Sequence, residues 1–551
     1  MPMSRIKIKR HTSGGWIMSV EATVGSQSRT APSAREMRKV IWGSSLGTVF
    51  EWYDFFVYGT LAATLGPLFF SKALGETGAF LASLATYGAG LVLRPFGSLL
   101  FGRLGDVVGR KHTFLITILL MGISTAGVGF LPTYETAGVT ATVMLVLLRC
   151  LQGLALGGEY GGAATYVAEH AADGRRGEAT GWIQICATGG FFLSLIVVLS
   201  TQALTGPDFK VWGWRIPFII SVLLLVVSVY IRMRLDESPV FLRMKAEGRT
   251  SANPIVESFA RWQNLKVVLL SLFGAVAGVG VVWYAGQFYA LIFLQKVLKV
   301  ELATAYILMS IALACAVPFF VICGWLSDRV GRKTVILLGL LLAAATYIPL
   351  FQALTHFANP ALEAAMISAP VTIESNQCQT RFFDGPQNDC ERVKDFLVAQ
   401  GISHRVDRSA SSPTVLTRVG SATVAGFDQS GLAKALKESG YPEKADLAAI
   451  NRPMTVLILF VLAFYVCMTY GPLAAYLVEL FPARIRYTSM SMPYHLGTGY
   501  FGGFMLYFAT LIASATGDIF DGLWYAVIIA VASLIIGFFV LPETKDRDVT
   551  S

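Results

Sequence analysis

Charge is scarce in this chain: Asp, Glu, Lys and Arg make up 14% of its 551 residues, against 54% apolar. A soluble domain carries about a quarter charged residues, so water is not the solvent for most of this sequence. No phosphate-binding GxxxxGK[ST] loop occurs, which excludes a nucleotide-driven motor built into the chain. The six histidines and seven cysteines show no metal-ligand spacing, and no nucleophile triad stands in a plausible context. Neither an enzyme nor a cofactor is expected. Residues 1–39 are basic and polar and lack the apolar core of a cleavable leader, so they read as a cytosolic tail, with Met18 as an alternative start.

What is present is a series of long apolar stretches, each able to span a bilayer as a helix. About twelve are expected, at 40–64, 79–101, 112–131, 140–168, 179–201, 213–233, 267–293, 303–325, 334–354, 453–477, 488–513 and 522–541. The fold class is therefore an all-α integral membrane protein. Lys and Arg concentrate in the loops on the side of the N-terminus, including Arg103, Arg110, Lys111, Arg175, Arg176, Arg232, Arg332 and Lys333. Cations mark the cytosolic face, which places both termini in the cytosol and the chain in the inner (plasma) membrane. The net charge of +9 follows from this topology, and no nucleic-acid partner is expected.

The segment Gly102-Arg-Leu-Gly-Asp106-Val-Val-Gly-Arg110-Lys111 recurs as Gly324-Trp-Leu-Ser-Asp328-Arg-Val-Gly-Arg332-Lys333, an offset of about 222 residues. Two six-helix repeats follow, 40–234 and 266–358 with 453–541, joined by a cytosolic loop at 235–265 and ending in a cytosolic tail at 542–551. Tyr166-Val-Ala-Glu169 with Arg176 recurs as Tyr476-Leu-Val-Glu479 with Arg486, but at an offset of about 310. The difference, roughly 88 residues, requires an insertion. It falls at 359–452, where apolar runs stop, and it faces outward because helix nine leaves the cytosol. Asp389 is expected to cap a helix ended by Gly401, Leu432 to Glu438 a second helix, and Thr414 to Phe427 a β-prone run between them. A small α+β lobe is the reading.

The duplicated Gly-x-Leu-[Gly/Ser]-Asp-x-Val-Gly-Arg-Lys loop resembles the signature of the major facilitator superfamily. Phe50-Glu51-Trp52-Tyr53-Asp54-Phe55, Arg94-Pro95-Phe96-Gly97 and the run from Arg149 and Gln152 to Gly158-Glu159-Tyr160-Gly161 resemble its metabolite:proton symporter branch. That resemblance implies alternating access by two bundles and proton-driven uptake of an organic acid, a shikimate-like acid, proline or a betaine. Val107 departs from the loop motif, which usually has a cation there, and the outward insertion is no part of the core pattern.

An ionised side chain at the bilayer centre costs about 2.5–3.5 kcal/mol on insertion scales, so each one needs a partner or a wet cavity. Glu51 and Asp54 share one face of helix one and are expected to couple protons. Arg149, followed on its helix by Gln152, Glu159 and Tyr160, is expected to hold a substrate carboxylate with its fork, or to pair with Asp54. Arg94 is a second anion ligand, and Tyr284 with Gln287 lines the same polar space. Asp106 and Asp328 are placed to bond helix N-termini, while Arg110 and Arg332 reach Glu169 and Glu479, making gate latches. Cys378 and Cys390, alone in the insertion, are expected to form a disulfide. The partners are thus protons, a small-molecule substrate and the bilayer, for a monomer importing its solute; proton-driven efflux and a transport-fold receptor are the alternatives.

Overall fold

The computed structural model describes residues 7–10, 16–19, 34–72, 75–233, 237–248, 250–378, 388–409 and 414–547. Twelve long helices carry the fold: Ala34–Phe69, Gly75–Val107, Arg110–Phe130, Val139–His170, Arg176–Thr205, Arg215–Met233, Trp262–Val297, Leu302–Val330, Arg332–Ala358, Arg452–Leu480, Arg486–Ala513 and Leu523–Val540. They are called helices one to twelve below. Among the described residues, ten are long and apolar enough to cross a membrane, and the protein is a multi-pass membrane protein. Large apolar side chains such as Phe130, Leu223 and Phe539 stand exposed on the outer surface, as lipid contact demands.

The helix pairings repeat between halves. Helix two packs on four and helix three on six, just as eight packs on ten and nine on twelve; the halves meet along five with eight and two with eleven. Those seams depend on the absence of side chains. A Cβ on Gly177 would fall 2.3 Å from the Gly324 carbonyl oxygen, and a Cβ on Gly324 equally close to that of Gly177, so helices five and eight touch backbone to backbone.

Several helices are interrupted. Helix four runs as Val139–Gly157 and then Glu159–His170. Helix seven contains π-helical turns at Leu272–Val276, Tyr284–Tyr289 and Phe293–Val297, and helix eleven one at Leu496–Gly502. Such turns cluster at functional sites.

The described residues of 359–451 form an α+β lobe. Strands Val371–Glu374, His404–Asp407, Leu416–Val419 and Ala422–Ala425 make one sheet in which the first strand lies between the second and third, parallel to the second and antiparallel to the third. Helix Asp389–Ala399 connects the parallel pair and Gln429–Glu438 closes the lobe. Ile373, Val393, Leu397, Val419 and Leu432 form its core, each fully buried. Two expectations are corrected. Asn388, not Asp389, caps the first lobe helix, its carboxamide accepting from the Glu391 amide at 3.0 Å. The sheet also has two strands outside 414–427, each four residues long and too short to show a periodicity.

The lobe is fastened to the C-terminal half at the end opposite the duplicated loops. The His404 amide donates to the Gly517 carbonyl at 2.7 Å, the Asn359 carboxamide to Leu298 at 2.9 Å and the Ala445 amide to Lys299 at 3.1 Å. Cys378 and Cys390 are joined by a disulfide, their Cα atoms 5.3 Å apart.

Candidate functional site

Two guanidinium groups occupy the middle of the bundle. Arg94 on helix two and Arg149 on helix four are buried, and both lie over the ring of Phe55 from helix one, at 5.7 Å and 5.2 Å. Arg149 also faces the rings of Tyr58 at 4.4 Å and Tyr87 at 5.3 Å. Its Nη1 donates to Gln152, which in turn donates to the Thr125 hydroxyl at 2.6 Å. Nε and Nη2 of Arg149 have no partner. Among the described residues neither arginine is paired with a carboxylate. Two buried cations without a counterion are costly, and an incoming anion removes that cost.

Arg94 reaches across to the other half. Its Nε donates to Nδ1 of His495 at 3.3 Å and its Nη2 to the Thr498 hydroxyl at 3.5 Å, both on helix eleven. Tyr284 approaches Tyr87 and Arg94, and Gln287 exchanges hydrogen bonds with the Thr188 hydroxyl at 3.2 Å to 3.3 Å. Further rings complete the space: Phe56 stacks on Trp283 at 5.5 Å, and Tyr160 stacks on Tyr494 and meets Gln184 at 3.0 Å through its hydroxyl.

The carboxylates lie elsewhere. Asp54 accepts from the Ser221 hydroxyl of helix six at 2.5 Å and is not brought to Arg149. Glu51 pairs with Arg232 at 2.9 Å, and Glu159 approaches the same guanidinium at 3.7 Å. The expectation that Glu159 continues the Arg149 face is thereby corrected: helix four is interrupted between Gly157 and Glu159, so the two stretches do not present one face. Arg232 was missed as a site residue. An arginine in the last turn of a helix carries the same signal as any cytosolic-side cation, and only tertiary structure turns it inward. Ser221 gave no signal either.

At the end bearing the duplicated loops, the halves are bolted together. Asp106 accepts from the backbone amide of Thr488 at 2.9 Å and from its hydroxyl at 2.7 Å, at the start of helix eleven. Asp328 accepts from the amides of Gly177 and Glu178 at 2.9 Å and 2.8 Å, at the start of helix five. These are equivalent bonds in opposite halves, each a carboxylate at a helix N-terminus. Arg332 reaches Glu479 at 3.1 Å as expected from the repeat, and Arg176 approaches Glu479 at 3.7 Å from the other half. Glu169 is taken by Arg486 at 3.1 Å and by the Ser238 hydroxyl. The side chain of Arg110 lies outside the described residues. Arg176 and Arg486 thus make cross-half ion pairs that the repeat contained but spacing alone did not assign.

The profile of the sugar (and other) transporter family matches residues 40–369 and 424–551. The chain belongs to this family. The stretch between the two matches falls inside the lobe. The proline/betaine transporter of Salmonella typhimurium is 35% identical over 328 residues, covering 57% of this chain and 64% of that protein. The proline/betaine transporter of Escherichia coli K12 is 34% identical over 330 residues, 57% of this chain and 64% of its own length. The match therefore spans less than two thirds of these relatives. Among solved structures, a proton:xylose symporter bound to 6-bromo-6-deoxy-D-glucose aligns with a TM-score of 0.60 at 18% identity, over 93% of this chain and 98% of its own. The E. coli xylose transporter in a partially occluded inward-open conformation gives 0.58 at 17%, over 93% and 99%. The fold is that of the major facilitator superfamily, twelve helices in two repeats, as the duplicated loop implied.

Proposed function

We propose that this member of the sugar (and other) transporter family is a proton-coupled symporter that imports a small zwitterion of the proline or betaine kind across the inner membrane, both termini cytosolic and the lobe outside. The observation that carries the substrate class is the pair Arg94 and Arg149, buried over Phe55 without a carboxylate partner among the described residues. A carboxylate between them satisfies the free Nε and Nη2 of Arg149 in the bidentate geometry a guanidinium favours. An adjacent ammonium finds aromatic faces at Phe56, Trp283 and Phe288, which bind quaternary nitrogen well. The curated relatives named as proline/betaine transporters agree with that chemistry.

Proton coupling falls to Glu51 and Asp54. Two buried carboxyl groups, Glu51 and Glu159, stand near a single guanidinium, that of Arg232, and a third, Asp54, lies one turn along helix one from Glu51 on the Ser221 hydroxyl. Neutrality of that cluster requires protons, and helices one, four and six, which hold it, also carry Phe55 and Arg149. Occupation of the arginine pair and proton binding are thus linked through helix one. The latches on the cytosolic side, Asp106, Asp328, Arg332 with Glu479 and Arg486 with Glu169, hold the closed cytosolic gate. The chain works as a monomer with no cofactor and no nucleic-acid partner.

The test is equilibrium binding of labelled betaine and proline to purified protein, with the methyl ester of each as competitor. The free acids are expected to compete at least tenfold better than the esters. Equal competition by ester and acid overturns the arginine assignment.

A further inference from the structure

The lobe has an organisation of its own. Its sheet runs second, first, third, fourth strand, the first pair parallel and joined by a helix, the last two forming an antiparallel hairpin, with a closing helix after it. That βαβ unit followed by a hairpin and helix is the arrangement of thioredoxin-like dithiol proteins, whose reactive cysteines lie between the first strand and the helix that follows it. Cys378 and Cys390 lie between that strand and the first turn of that helix, twelve residues apart and not in a C-x-x-C pair. Cys378 comes four residues beyond the carboxyl end of strand Val371–Glu374, the edge at which α/β sheets place their chemistry. Cys390 is the second residue of helix Asp389–Ala399 and so lies in the first turn, at the positive end of the helix.

We infer that the Cys378–Cys390 bond is an exchangeable redox pair and that the lobe is a thiol–disulfide exchange domain attached to the transporter. The two sulfurs are not equivalent. Both are buried, but Cys378 retains 5% of its surface and Cys390 none, which makes Cys378 the sulfur nearer to an incoming thiolate. Attack on the Cys378 sulfur forms a mixed disulfide and breaks the bond to Cys390, whose sulfur leaves as a thiolate at the positive end of its helix and then takes a proton. A thiolate stabilised in that way is the better leaving group. A second thiol of the reductant resolves the mixed disulfide by attacking its own sulfur, releasing Cys378. The balance is one disulfide reduced to two thiols, and two thiols of the reductant oxidised to one disulfide. Five other cysteines are free and lie in membrane helices, apart from this chemistry. The inference concerns the lobe itself and does not depend on which solute the bundle carries or on the side the lobe faces.

The experiment uses the purified full chain in detergent, equilibrated without denaturant in buffers of reduced and oxidised glutathione and then quenched with a maleimide mass tag. The Cys378→Ser/Cys390→Ser double variant supplies the baseline for the membrane cysteines. A gain of two tags over that baseline, graded with the buffer ratio, is expected. A pair that stays oxidised across all buffers until the chain is unfolded is structural, and overturns the inference. Single variants test the direction of attack: Cys390→Ser is expected to trap glutathione on Cys378 at least tenfold faster than Cys378→Ser traps it on Cys390. Equal or reversed rates overturn the assignment of Cys378 as the attacked sulfur.

Discussion

Glu51 and Arg232 meet at 2.9 Å between helices one and six, in a place where both are buried and where Glu159 approaches the same guanidinium. Removing one partner of a buried ion pair leaves the other charge uncompensated, at about 3–5 kcal/mol. Arg232→Leu is therefore expected to lower thermal stability in detergent sharply, and Arg232→Leu with Glu51→Gln to recover most of the loss. If the double variant is no more stable than the single one, the pair is not coupled.

Arg149 holds its place through Phe55, Tyr58, Tyr87 and Gln152. Lysine keeps the charge but cannot present two parallel donors to a carboxylate. Arg149→Lys is expected to reduce uptake at least tenfold with normal membrane insertion. Uptake near the parental rate in a reconstituted assay assigns Arg149 to packing.

Asp328 and Asp106 each bond across one seam between the halves, to Gly177 with Glu178 and to Thr488. A carboxylate bonded to amides at a helix N-terminus contributes about 1.5–3 kcal/mol, enough to shift a two-state balance tenfold or more. Asp328→Asn and Asp106→Asn are expected to raise the inward-open population, read as faster labelling of a reporter cysteine in the cytosolic half of the cavity. Unchanged labelling in both variants separates these bonds from gating.

His404 fastens the lobe to Gly517, and burial holds its imidazole at about 4 against an ordinary 6.5. Between those values the unfolded lobe binds a proton that the folded lobe does not. The share of lobe stability that His404 governs is thus full above about pH 6.5 and is lost as pH falls from there through 4, by about 3 kcal/mol. Hydrogen exchange in 371–425 is expected to accelerate between pH 7 and pH 4.5, and less so in His404→Asn. Intrinsic-rate-corrected exchange that is flat across this range contradicts it.

The parts of the fold legible in the sequence are those written in long apolar runs and in duplicated residues. Asp328 and Arg332 are examples, since the second copy of the loop gives each a counterpart at Asp106 and Arg110, and both then meet a helix or acid that the repeat also contains. The insertion was legible for the same reason, from two offsets that disagree. Arg232 was not, because an inward turn of a last-turn arginine depends on Glu51 and Glu159 arriving from two other helices. Nor was the order of the lobe's sheet, whose strands are four residues long and pair across up to 48 positions, as Val371 does with Val419. The separation of Glu159 from the Arg149 face depended on one interruption between Gly157 and Glu159, which a Gly-rich run neither requires nor forbids.

Coupling of solute to protons is tested most directly in proteoliposomes holding the purified chain, with labelled betaine outside and an inward proton gradient imposed. Accumulation above the outside concentration is expected, abolished by a protonophore and strongly reduced in Asp54→Asn and Glu51→Gln. Accumulation that survives collapse of the proton gradient and membrane potential, or that requires sodium or ATP, contradicts proton-coupled symport.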